Sequence, residues 1–272
     1  MMFEYTFGQT LFRSQYVHHD ILNDIHFSLS GMSKLPLDRI LQSQGFGTRK
    51  WCRELIENGD VSISNEQLFD SSKNFDTDAL EFTVFDETYL FRKQLYVALN
   101  KPANFECSRK PSHHPGVLSL LPEQFSRRDI QPVGRLDHDT TGLLLLSDDG
   151  AFIHAQSSPK RHVPKIYVAT TYELVTPQLV EKLLKGVKLK DEIGTLAAIS
   201  CKMIASHQLE LEVEQGKYHQ VKRMLVAAGN HCTALRRTQI GNLTLESLAL
   251  KEGEWCFLNN SQLLQLASQS TP

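Results

Sequence analysis

The chain has 272 residues, 41% of them hydrophobic and 22% charged, with a formal net charge of −2. That balance describes an ordinary soluble protein of about two domains and excludes a uniformly basic nucleic-acid binder, so any basic surface has to be local. Five cysteines without Cys-x-x-Cys spacing argue against a disulfide framework or a zinc site; with no secretory signal and no apolar run near the roughly 20 residues of a membrane span, the expected setting is the cytoplasm, without membrane contact.

Residues 1–33 read as an N-terminal extension, disordered in this reading, with Met32 offering a second translation start. Phe3, Tyr5 and Phe7 alternate like a short strand, and His18-His19-Asp20 is a solvated cluster that lacks a fourth metal ligand.

Residues 34–92 read as a small separate domain. Leu37, Ile40 and Leu41 have helical spacing, Gly45-Phe46-Gly47 breaks the helix, and Thr48 caps a second helix that runs to Asn58 and stops at Gly59. On that second helix Trp51, Cys52 and Leu55 form one face and Arg49, Lys50 and Arg53 another. With Arg39 they make a basic strip that suits a phosphate backbone or simply a solvated helix face. Val61 and Ile63 alternate as a strand, and strand character continues through Phe82, Val84 and Phe85 to a boundary near Asp86-Glu87.

Residues 93–272 form the second domain. Leu95, Val97 and Leu99 alternate with Tyr96, Ala98 and Asn100, and Lys101-Pro102 ends that strand. The stretch 103–130 is rich in loops, and its His113 and His114 have no metal-like partners. Later elements are a helix from Ala151, a basic loop at 157–162, a strand at Lys165–Ala169 and a helix opened by Pro177. A strand with Leu209, Leu211 and Val213 then leads to a helix whose Val221, Met224, Leu225 and Ala228 face the core. The tail from Cys232 to about Phe257 reads as short strands. Strands outnumber helices, and few helices join successive strands. The expected class is therefore α+β with a mostly antiparallel sheet.

The densest chemistry is at Gly134-Arg135-Leu136-Asp137-His138-Asp139-Thr140-Thr141-Gly142, followed by the run Leu143 to Leu146 and by Asp148-Asp149-Gly150. Charged groups crowded against so apolar a strand are costly to desolvate, which marks a candidate site. Asp137 admits three readings. It can cap its own turn, the common role of Asp beside Gly. It can open a calcium loop, but a leucine at the ninth position, Asp instead of Glu at the twelfth and flanking strands argue against that. Or it can act as nucleophile or base, its ionisation fixed by Arg135 or Lys222. Residue types alone leave catalysis and turn-capping level.

The central motif, Lys165-Ile166-Tyr167-Val168 and Glu214-Gln215-Gly216-Lys217-Tyr218-His219-Gln220-Val221-Lys222-Arg223-Met224 occur in that order. Together they resemble the three motifs of the RsuA-type pseudouridine synthases. Residues 34–92 resemble the S4 RNA-binding domain that precedes the catalytic domain in that family, so the likeness spans about residues 35–260. It implies an S4-like domain followed by a pseudouridine synthase domain whose mostly antiparallel mixed sheet is flanked by helices. The implied reaction is isomerisation of uridine to pseudouridine in RNA, with no cofactor and no metal. The Tyr218-His219-Gln220-Val221-Lys222 wording matches the family's small-subunit branch. It implies a monomer acting on 16S rRNA, within a small-subunit assembly intermediate. A large-subunit (23S) target and a non-catalytic assembly factor are the rivals.

By that resemblance Asp137 is the catalytic aspartate and Tyr167 the aromatic residue that stacks on the target base. Lys222 is the cation paired with the aspartate, at a position where relatives often have Arg and so a bidentate fork. Met224 or Leu225 would line the base pocket, and Arg135 would hold the flipped-out nucleotide or its phosphate. Arg39, Arg49, Lys50, Arg53, Lys160, Arg161, Lys165, His219, Gln220 and Arg223 are the implied RNA contacts. Arg236 and Arg237 read as further backbone contacts or as solvated surface.

Overall fold

The computed structural model describes residues 34–158 and 161–266. The extension, the His18-His19-Asp20 cluster and Lys160 lie outside those residues.

The first elements are β1 (Lys34–Pro36), α1 (Leu37–Ser43), α2 (Arg49–Glu57), β2 (Val61–Ile63), β3 (Glu66–Gln67), β4 (Asn74–Asp76), β5 (Glu81–Val84) and β6 (Glu87–Leu90). β1 pairs with β4, and an antiparallel sheet runs β3-β2-β5-β6. Leu37, Ile40, Leu41, Cys52, Leu55, Ile56, Val61 and Phe82 form a core of their own. Thr48 caps α2 by accepting the Trp51 backbone N–H at 3.2 Å. Two expectations fail here. Trp51 is 49% exposed, because the buried face is set by Cys52, Leu55 and Ile56 and Trp51 falls one residue off that line. Phe85 and Asp86 both have positive φ and turn the chain from β5 into β6, so strand pairing continues to Leu90.

The buried Asp38 carboxylate accepts Arg49 Nε at 2.7 Å and Arg53 Nε at 2.8 Å. Burial opposes its charge, but the two guanidinium groups win and hold its pKa below the usual range. Two of the four residues of the expected basic strip thus share one internal carboxylate, while Arg39 and Lys50 are exposed.

The rest of the chain builds one mixed sheet. Its strands are β7 (Tyr96–Lys101), β8 (Gln131–Val133), β9 (Thr141–Ser147), β10 (Lys165–Thr171), β13 (Ser200–Ala205), β14 (Gln208–Val213), β15 (Cys232–Ile240), β16 (Leu243–Thr244) and β17 (Trp255–Phe257), with a separate pair β11 (Val187–Lys188) and β12 (Thr195–Leu196). The order is β13-β14-β10-β15-β9-β7-β17, with β8 on β9 and β16 on β15. Among the described strand pairs of this sheet, only β9–β15 is parallel. The helices are α3 (Glu123–Arg127), α4 (Gly150–Ser157), α5 (Pro177–Lys185), α6 (Gln220–Ala228), α7 (Leu245–Leu248) and α8 (Asn260–Gln265). The tail is not made of short strands alone: β16 and β17 are short, but Cys232–Ile240 is a nine-residue strand inside the sheet that pairs with β10, β9 and β16.

The leucine run shows why this sheet is stable. Leu144 and Leu146 enter one apolar cluster and Leu143 and Leu145 the other, so both faces of β9 are covered. Each such side chain contributes about 2 kcal/mol on burial. Gly142, at φ +100°, is where β9 meets β15; a Cβ there would lie 2.2 Å from the Arg237 carbonyl oxygen. Only glycine permits that approach, and the approach sets the loop carrying Asp137 beside Tyr167 of β10 and Arg237 of β15.

Candidate active site

Asp137 is presented by the loop between β8 and β9, and that loop is braced from below. Lys101, at the end of β7, is fully buried. Its ammonium donates to the carbonyl oxygens of Pro102, His138 and Thr140 at 2.9, 3.0 and 2.9 Å. The Asn104 N–H donates to the same His138 carbonyl at 2.7 Å, and Thr140 N–H closes a turn onto Asp137 O at 3.1 Å. Burial pushes the Lys101 pKa down, against the pull of nearby acidic groups. The turn therefore exists, but its carbonyls are satisfied by a lysine and its Asp137 side chain is left for other partners.

Those partners come from α6, which follows β14. Lys222 Nζ lies 2.9 Å from Asp137 Oδ2, and His219 Nε2 lies 3.0 Å from Asp137 Oδ1. Lys222 also reaches Asp139 Oδ1 at 2.6 Å and Oδ2 at 2.9 Å, so one ammonium bridges two carboxylates. Burial works against the Lys222 charge, but its bonds to Asp139 and Asp137 raise its pKa. Burial likewise opposes ionisation of Asp139, yet Lys222 holds its pKa below the usual range. Lys222 and Asp139 therefore stay charged at neutral pH. His219 sits just before α6 with φ 46°, a left-handed conformation that costs a non-glycine residue about 1 kcal/mol and aims the ring at Asp137.

Asp139→Asn should consequently leave Lys222 on Asp137 alone and lower the turnover rate by roughly ten- to a hundredfold, through mispositioning of the pair. A stability effect is also expected, limited by solvent screening because the Asp139 side chain is 53% exposed. A depressed carboxylate stabilises the fold above its unfolded pKa of about 3.9 and loses that contribution as pH falls through the lower folded value. Thermal melts of the variant across pH 2 to 5 should be flatter than those of the parent.

Beside the cluster is a cavity of about 140 Å³ whose lining includes Asp137, Lys165, Tyr167, His219, Gln220 and Arg237. Tyr167 is buried, and its hydroxyl accepts Arg237 Nη1 at 3.5 Å. Arg237 is not the solvated residue or backbone contact expected. It is 3% exposed, donates from Nε to Leu143 O at 2.8 Å, and its Nη2 has no acceptor among the described residues. Lys165 Nζ donates to Val163 O at 2.6 Å. Burial first, and then the Arg237 charge, lower its pKa to about 8, against Glu214. Arg135 is exposed on the cavity lining and has no ion-pair partner among the described residues. A wider cleft of about 490 Å³, lined by Val180, Leu184 and Met203, contains none of the motif residues.

The remaining candidates divide. Gln220 is buried: it accepts the Lys217 N–H at 3.0 Å and lies beside Met224. Arg223 is held by Glu192, by the Tyr218 carbonyl and by the Lys190 carbonyl. Met224 and Leu225 are fully buried in the core. Arg161 is exposed, and Arg39, Arg49, Lys50 and Arg53 are on α1 and α2, outside the cavity lining.

The chain is similar to proteins of known family. The family model described as RNA pseudouridylate synthase matches residues 95–227. An uncharacterized RNA pseudouridine synthase of Bacillus subtilis is 34% identical over 232 residues, covering 84% of this chain and 97% of its own. The ribosomal small subunit pseudouridine synthase A of Vibrio cholerae is 31% identical over 233 residues, with 85% and 99% covered. Its Escherichia coli K12 counterpart is 39% identical over 168 residues, with 62% and 72% covered. A crystal structure of a pseudouridylate synthase superposes with a TM-score of 0.60 at 31% identity, covering 85% of this chain and 99% of that one.

Proposed function

The chain belongs to the RNA pseudouridylate synthase family and is an RNA pseudouridine synthase of the RsuA type, and we propose that it isomerises one uridine of small-subunit (16S) rRNA with Asp137 as the catalytic carboxylate. The observation that carries this reading is the Asp137 carboxylate itself, gripped by Lys222 and His219 at a cavity lined by Tyr167. The names of the Vibrio and Escherichia relatives support the small-subunit target.

In the reaction the bond from uracil N1 to the ribose C1′ breaks, the base turns while held, C5 bonds to C1′, and the C5 hydrogen leaves as a proton while N1 gains one. Redox chemistry is not required. Asp137 supplies a carboxylate oriented by Lys222 at 2.9 Å, suited to attack carbon or to take a proton. Tyr167 offers a ring against which the uracil stacks, and Arg135 at the rim is free to hold the displaced nucleotide or its phosphate. Drawing a base out of its stack costs a few kcal/mol. Residues 34–92, proposed as an S4-like RNA-binding domain ahead of a catalytic domain at 93–272, would offset that cost through Arg39, Lys50 and the exposed parts of Arg49 and Arg53. The proposed enzyme acts as a monomer. The proposed setting is cytoplasmic rRNA within a partly assembled small subunit.

Lys165 adds a pH dependence. Its charge, proposed to attract an RNA phosphate, is lost as pH rises through about 8, so KM for RNA should rise between pH 7 and 9. Lys165→Arg, which keeps its charge over that range, should flatten the profile. In stability the sign is reversed: the depressed lysine opposes folding at low pH, and that opposition fades as pH climbs from about 8 towards its unfolded value near 10.4.

The functional test is carbodiimide mapping of pseudouridine in rRNA from cells with and without the gene. Loss of one reverse-transcription stop in small-subunit rRNA is the expected result. Loss from large-subunit rRNA alone would overturn the target, and an unchanged map in both would overturn the rRNA reading.

A further inference from the structure

His114 and His138 stack face to face beside the catalytic loop, with ring centroids 4.5 Å apart and planes 9° from parallel. Each ring is fixed through its own backbone. His138 lies between Asp137 and Asp139, and its carbonyl oxygen is pinned by Lys101 and Asn104. His114 ends a loop closed by Glu106, whose carboxylate accepts the backbone N–H groups of Ser112, His113 and His114 at 3.1, 2.8 and 2.9 Å. Those three donors hold the Glu106 pKa below the usual range, so the closure persists at neutral pH. Neither imidazole has a hydrogen-bond partner among the described residues. His114 is half-buried and His138 exposed, so His114 covers one face of the outer ring and leaves the other open to solvent.

The geometry points to the open face of His138 as a stacking platform for the base of a nucleotide adjoining the target uridine, with His114 as its backing ring. This rests on the RNA substrate proposed above and names a subsite for it. Consecutive Cα atoms are about 3.8 Å apart, which puts a ring one residue from Asp137 within reach of a nucleotide adjoining the one Asp137 meets. When the uridine leaves its helix, that neighbour loses a stacking partner, and an aromatic face replaces it without regard to which base it is. A ring already backed by a second, anchored ring has little side-chain freedom left to lose on binding.

The test uses an rRNA fragment carrying 2-aminopurine on one side of the target uridine or the other. Its fluorescence is followed on binding to the full-length protein and to His138→Ala, His138→Phe and His114→Ala, with circular dichroism as the check on folding. The parent should quench the probe at one of the two positions. His138→Ala should abolish that quenching and raise KM by about five- to 150-fold, the range for removing one stacked base, with kcat within about threefold. His138→Phe should keep both properties, and His114→Ala should lose part of each. Quenching unchanged in His138→Ala, or a folded His138→Phe as impaired as His138→Ala, would overturn the platform. The outcomes separate from those of the functional proposal. Quenching that depends on His138 without pseudouridine formation would remove the catalytic reading and leave the platform. Pseudouridine formation with no such quenching would do the reverse.

Discussion

Asp137→Asn should lower the single-turnover rate by about a thousandfold or more, while RNA affinity stays within a few-fold of the parent. The substitution keeps the shape of the side chain and one oxygen, so the loop, braced by Lys101 from below, has no reason to move. What disappears is the charge. Lys222 still has Asp139 at 2.6 Å and stays protonated, but no anion remains at the cavity to attack or to accept a proton. A thousandfold loss corresponds to about 4 kcal/mol of transition-state stabilisation, a reasonable loss for a group acting directly on the reacting atoms. Quench-flow kinetics and filter binding on one RNA give both numbers. A rate within tenfold of the parent would return Asp137 to the role of a turn residue.

Lys101→Met should destabilise the protein by about 3–5 kcal/mol and lower its melting temperature by roughly 10 °C, with activity lost in the fraction that stays folded. Methionine fits the tunnel of a lysine stem. However, the carbonyl oxygens of Pro102, His138 and Thr140 lose their shared donor in a place water does not reach. Burial of the ammonium is itself unfavourable, as its lowered pKa records. The expected loss therefore comes from the orphaned carbonyls, and two of them flank Asp137 and Asp139 in the loop. Differential scanning calorimetry checks the first effect, and the single-turnover assay at 20 °C checks the second. A variant as stable as the parent would mean that the loop carries its own conformation.

Much of the site was legible because its parts are local. The Gly134–Gly142 turn, the strand with Tyr167 and the switch to helical spacing after Val213 each lie within a dozen residues, and the structure has all three, with the helix itself starting at Gln220. What escaped depends on contacts between distant segments. Lys222 was read as a partner of Asp137, but its bond to Asp139 joins residues 83 apart, and no spacing rule forecasts a lysine shared by two carboxylates. Two further positions carry a trace in the sequence. Lys101 continues the alternating series Leu95, Val97, Leu99 along β7. Arg237 likewise follows Leu235 at the strand period while Arg236 faces out. A charged residue at an inward position of a strand marks a buried donor with work inside the fold, and both positions fit that pattern. The basic strip on α2 has a partner of the same distant kind: Asp38, two residues into the preceding helix, is the acceptor that draws Arg49 and Arg53 together.

The central claim, that this site expels the C5 hydrogen of an rRNA uridine, has a direct measurement in the release of tritium from RNA labelled at uridine C5. The substrates are small-subunit and large-subunit rRNA, each carrying a subset of its ribosomal proteins. The account predicts release approaching one equivalent per small-subunit particle, none from the large subunit, and none from either with Asp137→Asn. No release from either particle by the parent protein, despite tight binding to small-subunit RNA, would contradict it and leave an RNA-binding assembly factor in place of the synthase.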